Sequence, residues 1–243
     1  MFTSWFNLKT SLSSPELLID IHSHLIPGID DGAQNMEESI ALLQALEAIG
    51  YKKVITTPHV MIDAYENTTK SIKDGLQVLS AKAKKVGITL EIEAAAEYYM
   101  DEGFLKHLQS GDVLSISGKY ILFETSYISK PLQFDEIIFE IFSAGYTPLL
   151  AHPERYRYIN DFKTEYLALK EKGVFFQVNI NSFGGHYGKE SKRKAEFLNK
   201  HGMIDFLGSD VHHMKQINTL KNIQNKRIYK NIFKNNTILN NNL

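Results

Sequence analysis

The 243-residue chain is long enough for one sizeable core and short for two ordinary domains. Its 27 lysines and arginines balance 28 acidic residues, which argues against bulk attraction to nucleic acid. With no cysteine there is neither a disulfide framework nor a thiolate nucleophile, and no apolar run nears the roughly 18 residues that cross a bilayer.

Residues 1–16 read as an N-terminal extension carrying Phe2, Trp5 and Phe6. They lack the basic start, long apolar stretch and cleavage site of a secretory signal, so a cytoplasmic protein is expected. The first apolar run, LLIDIH (Leu17 to His22), gives way to His22 and His24. In an extended chain residues i and i+2 share a face, so both imidazoles can reach one point. Asp30, Asp31 and Gly32 follow. Asn35 with Glu38 then makes a capping box, and Ile40, Leu43, Leu46 and Ile49 recur at helical spacing until Gly50.

The alternation continues along the chain. KVITTPH closes on His59, a helical pattern over Ile72 to Ala83 stops before Gly87, and ITLEIEAAAE (Ile88 to Glu97) closes on Glu97. FLKHL is a short helical pattern holding His107. YILFE (Tyr120 to Glu124) ends on Glu124, and the helical segment after Pro131 is closed by Gly145. TPLLAH ends on His152, and Tyr166 to Leu169 lead to Gly173. VFFQVN (Val174 to Asn179) runs into a glycine-rich loop with His186. Ala195 and Leu198 then precede Gly202, and IDFLGSD ends on Asp210, with His212 repeating the i, i+2 geometry. From Lys215 onward there is no acidic residue, and five lysines and one arginine accompany spaced Ile and Leu. Residues 215–243 are expected as one or two amphipathic helices over the outside, with a frayed Asn-rich end that could meet a membrane surface or a partner.

Seven apolar runs alternating with helices imply an α/β fold with a parallel sheet, closed or nearly closed into a barrel. An open doubly wound sheet is the alternative. The barrel gains weight because polar residues end every run and would converge on one rim. His22, His24, Asp31, His59, Glu97, Glu124, His152, Asp210 and His212 are the candidate metal ligands. Glu97 and Glu124 follow apolar residues, an unfavourable place for a charge unless a cation offsets it. This set exceeds the three or so protein ligands of one catalytic ion and suits two or three. Mixed imidazole and carboxylate donors point to manganese, iron or zinc over magnesium. Tyr98, Tyr99, Tyr127, Tyr156, Tyr158, Phe183 and Tyr187 are expected on rim loops, where they could stack on a substrate ring or pack loops. His186 could line the same site.

DIHSH with DDG, TPH, AEYY, Phe123-Glu124, AHPERY and SDVH together resemble the polymerase-and-histidinol-phosphatase (PHP) metallohydrolases. More narrowly they resemble the bacterial tyrosine-protein phosphatases of capsule and exopolysaccharide systems. The likeness runs from about Leu17 to Met214, which makes 17–214 the barrel domain and 215–243 a tail of the same domain. The resemblance implies a distorted, TIM-like (β/α)7 barrel with a trinuclear, often manganese-dependent site. It assigns His22, His24, Glu97 and Asp210 to one metal, and Glu97, Glu124 and His152 to a second. Asp31, His59 and His212 would hold the third. Arg155 matches the phosphate-binding arginine. Close relatives carry another arginine beyond the last histidine; here His213 or Lys215 could replace its charge but not its fork geometry. The implied activity is hydrolysis of phosphotyrosine by a metal-bound hydroxide, with no general acid assigned. The implied partner is a membrane-associated bacterial tyrosine autokinase, which would put the protein at the inner face of the membrane. The alternatives are another PHP phosphoesterase, acting on histidinol phosphate or a phosphodiester, and a noncatalytic metal-binding regulator.

Overall fold

Short β-branched runs bounded by glycine and polar residues form strands, and the amphipathic segments between them form the helices that cover those strands. A computed structural model describes residues 17–243; the extension over residues 1–16 lies outside them. In chain order the elements are β1 (Ile19–Asp20), α1 (Met36–Ala48), β2 (Lys53–Thr56), β3 (His59–Val60) and α2 (Thr69–Lys85). Next come β4 (Glu91–Ala94), β5 (Glu97–Tyr99), α3 (Glu102–Ser110), β6 (Tyr120–Glu124) and α4 (Phe134–Ser143). The chain continues through β7 (Thr147–Ala151), α5 (Phe162–Glu171), β8 (Phe175–Asn179), α6 (Lys189–Lys200) and β9 (Phe206–Gly208). The last two helices are α7 (Met214–Gln224) and α8 (Arg227–Asn235).

All paired strands run parallel, in the orders β1-β2-β4 and β3-β5-β6-β7-β8-β9. The two runs expected as single strands through Pro58 and through Ala95-Ala96 are each interrupted there. Proline has no N–H to give the ladder. The pairing nonetheless carries across the breaks, because the Ala95 N–H donates to Thr56 O at 2.9 Å and the Glu97 N–H to Pro58 O at 3.1 Å. Beyond β1 and β9 the chain pairs again: Ser23 and Val211 form a parallel bridge, and the Asp210 N–H donates to His22 O at 2.8 Å. The sheets therefore curl so that the chain just past β1 and the chain just past β9 come together.

Alternation along each strand divides the core. Tyr120 and Leu122 of β6, Leu149 and Ala151 of β7 and Phe206 of β9 fill the space inside the curl with Ile19, Ile21 and Ile55. Ile121, Phe123, Leu150, Phe176, Val178 and Leu207 face outward into the larger core beneath the helices. Going up the inner face, apolar side chains give way to Glu124, Gln177 and Asn179, all buried.

Helix starts follow the sequence signals with one change. Asn35 accepts the Glu38 N–H at 2.9 Å, but the Glu38 carboxylate reaches back to the Gln34 N–H rather than to that of Asn35. The frayed end expected of the tail is not found. Asn236 and Asn240 are buried, 8% and 0% exposed. The Asn240 side chain takes the Leu207 N–H at 3.0 Å and donates to Ile19 O and Leu207 O at 3.0 and 2.8 Å. It stands where β1 and β9 do not pair directly, and Leu239 and Leu243 pack under the inner core. Asparagine amides are used here as plugs, with their dipoles spent on main-chain groups.

Candidate metal centre

The expected ligands gather at one rim of the strands, at strand ends, at the two interrupted runs and in the adjoining loops. His22 and His24 follow β1, His59 opens β3, Glu97 opens β5, Glu124 ends β6, His152 follows β7 and Asp210 follows β9. Asp31 comes from the loop after β1 and His212 from the turn into α7. Two of these positions need unusual backbone: His152 at φ 32° and Asp210 at φ 50° lie in the left-handed region, which costs a non-glycine residue on the order of 1–3 kcal/mol. Such strain is retained where it aims a side chain.

Glu97, fully buried, is the hub. One carboxylate oxygen lies 3.1 Å from His22 Nε2, 3.4 Å from His24 Nε2 and 3.3 Å from His59 Nδ1; the other lies 3.0 Å from His152 Nε2. Glu124 sits 3.2 Å from His59 Nδ1, and Asp31 lies 3.5 Å from His59 Nε2 and 3.4 Å from His212 Nε2. Four overlapping donor groups result, each able to hold a cation: His24, Asp31, His59 and His212; His22, Glu97 and His152; His22, His24 and Asp210; and His59, Glu97 and Glu124. Together they contain all nine residues singled out from the sequence.

Hydrogen bonds behind the imidazoles decide which nitrogen faces the centre. His22 Nδ1 lies 2.7 Å from Gln177 Oε1, His24 Nδ1 lies 2.7 Å from Asp30 Oδ2, and His212 Nδ1 lies 3.0 Å from Asp210 O. All three partners are acceptors, so each ring keeps a proton on Nδ1 and directs Nε2 to the centre, where a cation can take the place of the second proton. The Nε2 atoms of His22 and His24 are only 3.3 Å apart. The buried His59 Nδ1, beside two carboxylates, has no hydrogen-bond partner. Imidazole nitrogens and carboxylate oxygens crowded this closely are held together by shared protons or by cations that take their place. The donor set therefore fits divalent metal ions.

Gln177, Asn179 and Asp30 were not expected as parts of the site. Their signal was a pair of polar residues alternating inward at the top of β8, and a carboxylate one position before Asp31. Asn179 donates to Asp210 Oδ2 at 2.6 Å, as do Arg155 at 3.0 Å and the Tyr187 hydroxyl at 2.9 Å. Gly208 is required by this packing, since a Cβ there would lie 2.4 Å from Gln177 Nε2 and 2.8 Å from His22 Cβ.

Burial disfavours charge on His22, but Glu97 and Asp210 outweigh it and lift its pKa to about 9. Burial likewise opposes ionisation of Glu97 and Asp210, yet the surrounding imidazoles hold both well below the usual carboxylate range. A hydrogen bond from His212, working against partial burial, brings Asp31 down to about 2. The carboxylates are thus kept ionised, as ligands must be.

A cavity of about 770 Å³ opens beside the cluster, lined by Asp31, His59, Tyr65, Tyr99, Tyr127 and Arg155 among others. A smaller one of about 350 Å³ continues past Arg155 to His186, His213 and Lys215. Arg155 is stacked between Tyr127 and Tyr187, its guanidinium carbon 4.5 and 4.3 Å from the two ring centroids. Of the rim aromatics, Tyr98, Tyr156 and Phe183 are instead core residues, 2%, 0% and 3% exposed. Tyr98 stacks on Phe104 and accepts the Leu114 N–H; Tyr156 donates to Ala151 O and accepts the Thr125 N–H. Their neighbours in sequence reach the rim, whereas these two rings fill space beneath it, closed to a substrate. His107 and His201 lie outside the cluster, with ring nitrogens near main-chain carbonyls.

Among the described residues no helix is long and apolar enough to cross a membrane. The family model for capsular polysaccharide synthesis, CpsB/CapC, matches residues 18–240. Tyrosine-protein phosphatase YwqE of Bacillus subtilis is 31% identical over 202 residues, 83% of this chain and 80% of that protein. Tyrosine-protein phosphatase CpsB of Streptococcus pneumoniae is 28% identical over 203 residues, 81% and 84% of the two chains. A crystal structure from work on these two proteins, described there as unique metal-dependent tyrosine phosphatases, superposes with a TM-score of 0.78 at 27% identity. It covers 90% of this chain and 96% of that one. An amidohydrolase from Mycoplasma synoviae superposes with a TM-score of 0.52 at 12% identity, over 93% of this chain and 86% of its own, a likeness of fold alone.

Proposed function

The chain belongs to the CpsB/CapC family of capsular polysaccharide synthesis, and from that membership and its donor cluster we propose a metal-dependent protein-tyrosine phosphatase. The observation that carries this is the pair of inward-facing Nε2 atoms on His22 and His24, 3.3 Å apart against the Glu97 carboxylate. Both nitrogens and that carboxylate belong to donor groups close enough to share a cation. The preferred metal is manganese, two or three ions per chain, with iron or zinc as alternatives. Glu97 would bridge. His22, His24 and Asp210 would share one ion with it, and Glu124 and His152 another. Asp31, His59 and His212 would hold the third. When bound, such ions supply neutralisation of the phosphate dianion and acidification of a water near phosphorus.

The chain's own residues do the rest. Arg155 gives one N–H to Asp210 and retains others for nonbridging phosphate oxygens, where charge builds during transfer. Its stacking between Tyr127 and Tyr187 fixes the fork before substrate arrives. Tyr65, Tyr99 and Tyr127 line the larger cavity and offer faces to the substrate's ring. His186, His213 and Lys215, on the smaller cavity, supply positive charge or donors where the second arginine of close relatives is missing. The tyrosine oxygen leaves near its solution pKa of about 10, so proton donation to it matters less than for an alkyl ester.

The finer fold assignment is a distorted (β/α)7 barrel of PHP type. The ladder bonds that cross the breaks at Pro58 and Ala95-Ala96, and the Ser23–Val211 bridge, support it. Residues 17–214 form that barrel, and the tail over 215–243 belongs to the same domain. The substrate would be a tyrosine-phosphorylated protein, an autophosphorylating kinase of a capsule system, met in the cytoplasm at the inner face of the membrane. Metal-stripped protein should regain activity on a phosphotyrosine peptide when manganese is restored. Turnover of histidinol phosphate in preference to the peptide would move the activity elsewhere among PHP enzymes. Metal binding without turnover of any phosphate ester would favour a regulatory role.

A further inference from the structure

Tyr187 lies in the loop after β8, in the stretch Gly184-Gly185-His186-Tyr187-Gly188. Two residues beside it adopt left-handed backbone, Gly185 at φ 80° and Gly188 at φ 94°. The Gly185 N–H donates to Ser182 O at 2.9 Å, that of His186 to Asn181 O at 3.2 Å, and that of Gly188 to Gly185 O at 3.1 Å. The side chain is thus presented from a tight, internally bonded turn.

Its two ends do different things. The hydroxyl donates to Asp210 Oδ2 at 2.9 Å, and the ring face carries the Arg155 guanidinium at 4.3 Å. With Arg155 and Asn179 also donating, Asp210 Oδ2 takes three hydrogen bonds. The carboxylate can then rotate only by breaking them, and Oδ1 is left facing His22 Nε2 at 3.5 Å and His24 Nε2 at 3.7 Å. A residue that merely packed a rim loop would need the ring alone. A hydroxyl aimed at the back of a donor carboxylate is the arrangement that sets ligand direction.

We propose that Tyr187 is a positioning residue that serves both halves of the reaction, its hydroxyl orienting Asp210 toward the cation and its ring holding Arg155 toward the phosphate. This rests on the phosphatase reading above. The two tasks separate by substitution: Tyr187→Phe keeps the ring and removes the hydroxyl, whereas Tyr187→Leu removes both.

The test uses the full chain, with manganese affinity measured on metal-stripped protein and inorganic phosphate as competitive inhibitor at saturating manganese. In Y187F the manganese dissociation constant should rise about tenfold. Phosphate inhibition and KM for a phosphotyrosine peptide should stay within about twofold of wild type. In Y187L the same metal weakening should be joined by about tenfold weaker phosphate inhibition and a higher KM, so that phenylalanine rescues the phosphate half alone. Unchanged manganese affinity in Y187F, or unchanged phosphate inhibition in Y187L, overturns the assignment. Wild-type protein that neither binds manganese nor cleaves the peptide would instead overturn the phosphatase reading, and is told apart by needing no variant.

Discussion

Glu97 touches four imidazoles and has no solvent to fall back on, so a neutral isostere at this position tests the centre most directly. Glu97→Gln should cut bound manganese at least about tenfold and abolish turnover, checked by elemental analysis beside a phosphatase assay. Arg155 should behave differently. R155A is expected to retain most of its metal while phosphate inhibition weakens about tenfold or more, and R155K should recover little, since a point charge does not reproduce a fork. Joint loss of metal in R155A would assign it to the ligand shell. The donor cluster was legible in the sequence because most of its members close apolar runs, where an uncompensated charge or imidazole is costly. Gln177 and Asp30 were not, because their importance lies in distances to His22 and His24 that only strand packing sets. Tyr98 and Tyr156 misled for a related reason: adjacency to a rim residue says nothing about which way a ring points.

Strand by strand, the apolar runs marked where the sheet lies, and the helical periods marked what covers it. The interruptions at Pro58 and Ala95-Ala96 were less visible, since a break that main-chain bonds bridge leaves little trace in hydropathy. The tail's two amphipathic helices are found as expected, but its Asn-rich end was misjudged. Its asparagines carry no hydrophobic period, so nothing local says that Asn236 and Asn240 are buried. Asn240→Ala should leave the Leu207 N–H and the Ile19 and Leu207 carbonyls without partners, costing about 2–4 kcal/mol. Urea unfolding measures this, and a loss under about 0.5 kcal/mol would return the segment to the status of an ornament. Gly208→Ala should destabilise the same region from above, since its methyl would collide with Gln177 and His22.

Over the whole molecule, metal and fold are coupled. Donor groups drawn from six strand runs, converging on Glu97, repel one another less when cations lie among them. Manganese at a hundred times its dissociation constant should therefore add about 2.7 kcal/mol per independent site, seen as a rise in Tm that chelation reverses. A Tm indifferent to manganese and chelator alike would count against binding. That the strands curl on themselves could be argued from polar residues at every run's end. How β1 and β9 come together could not, because the joint is made by groups from three distant stretches.

That joint also bears on time. Asn240 and Ile19 are 221 positions apart, so their contact carries nearly the full loop-closure entropy of the chain and can form only after the intervening units have condensed. Refolding should consequently show a late phase in which the Leu207 amide gains protection from deuterium last, well after the interior of β6 and β7. In the native ensemble the same latch should open first, exposing the seam between first and last strands while the catalytic end stays shut.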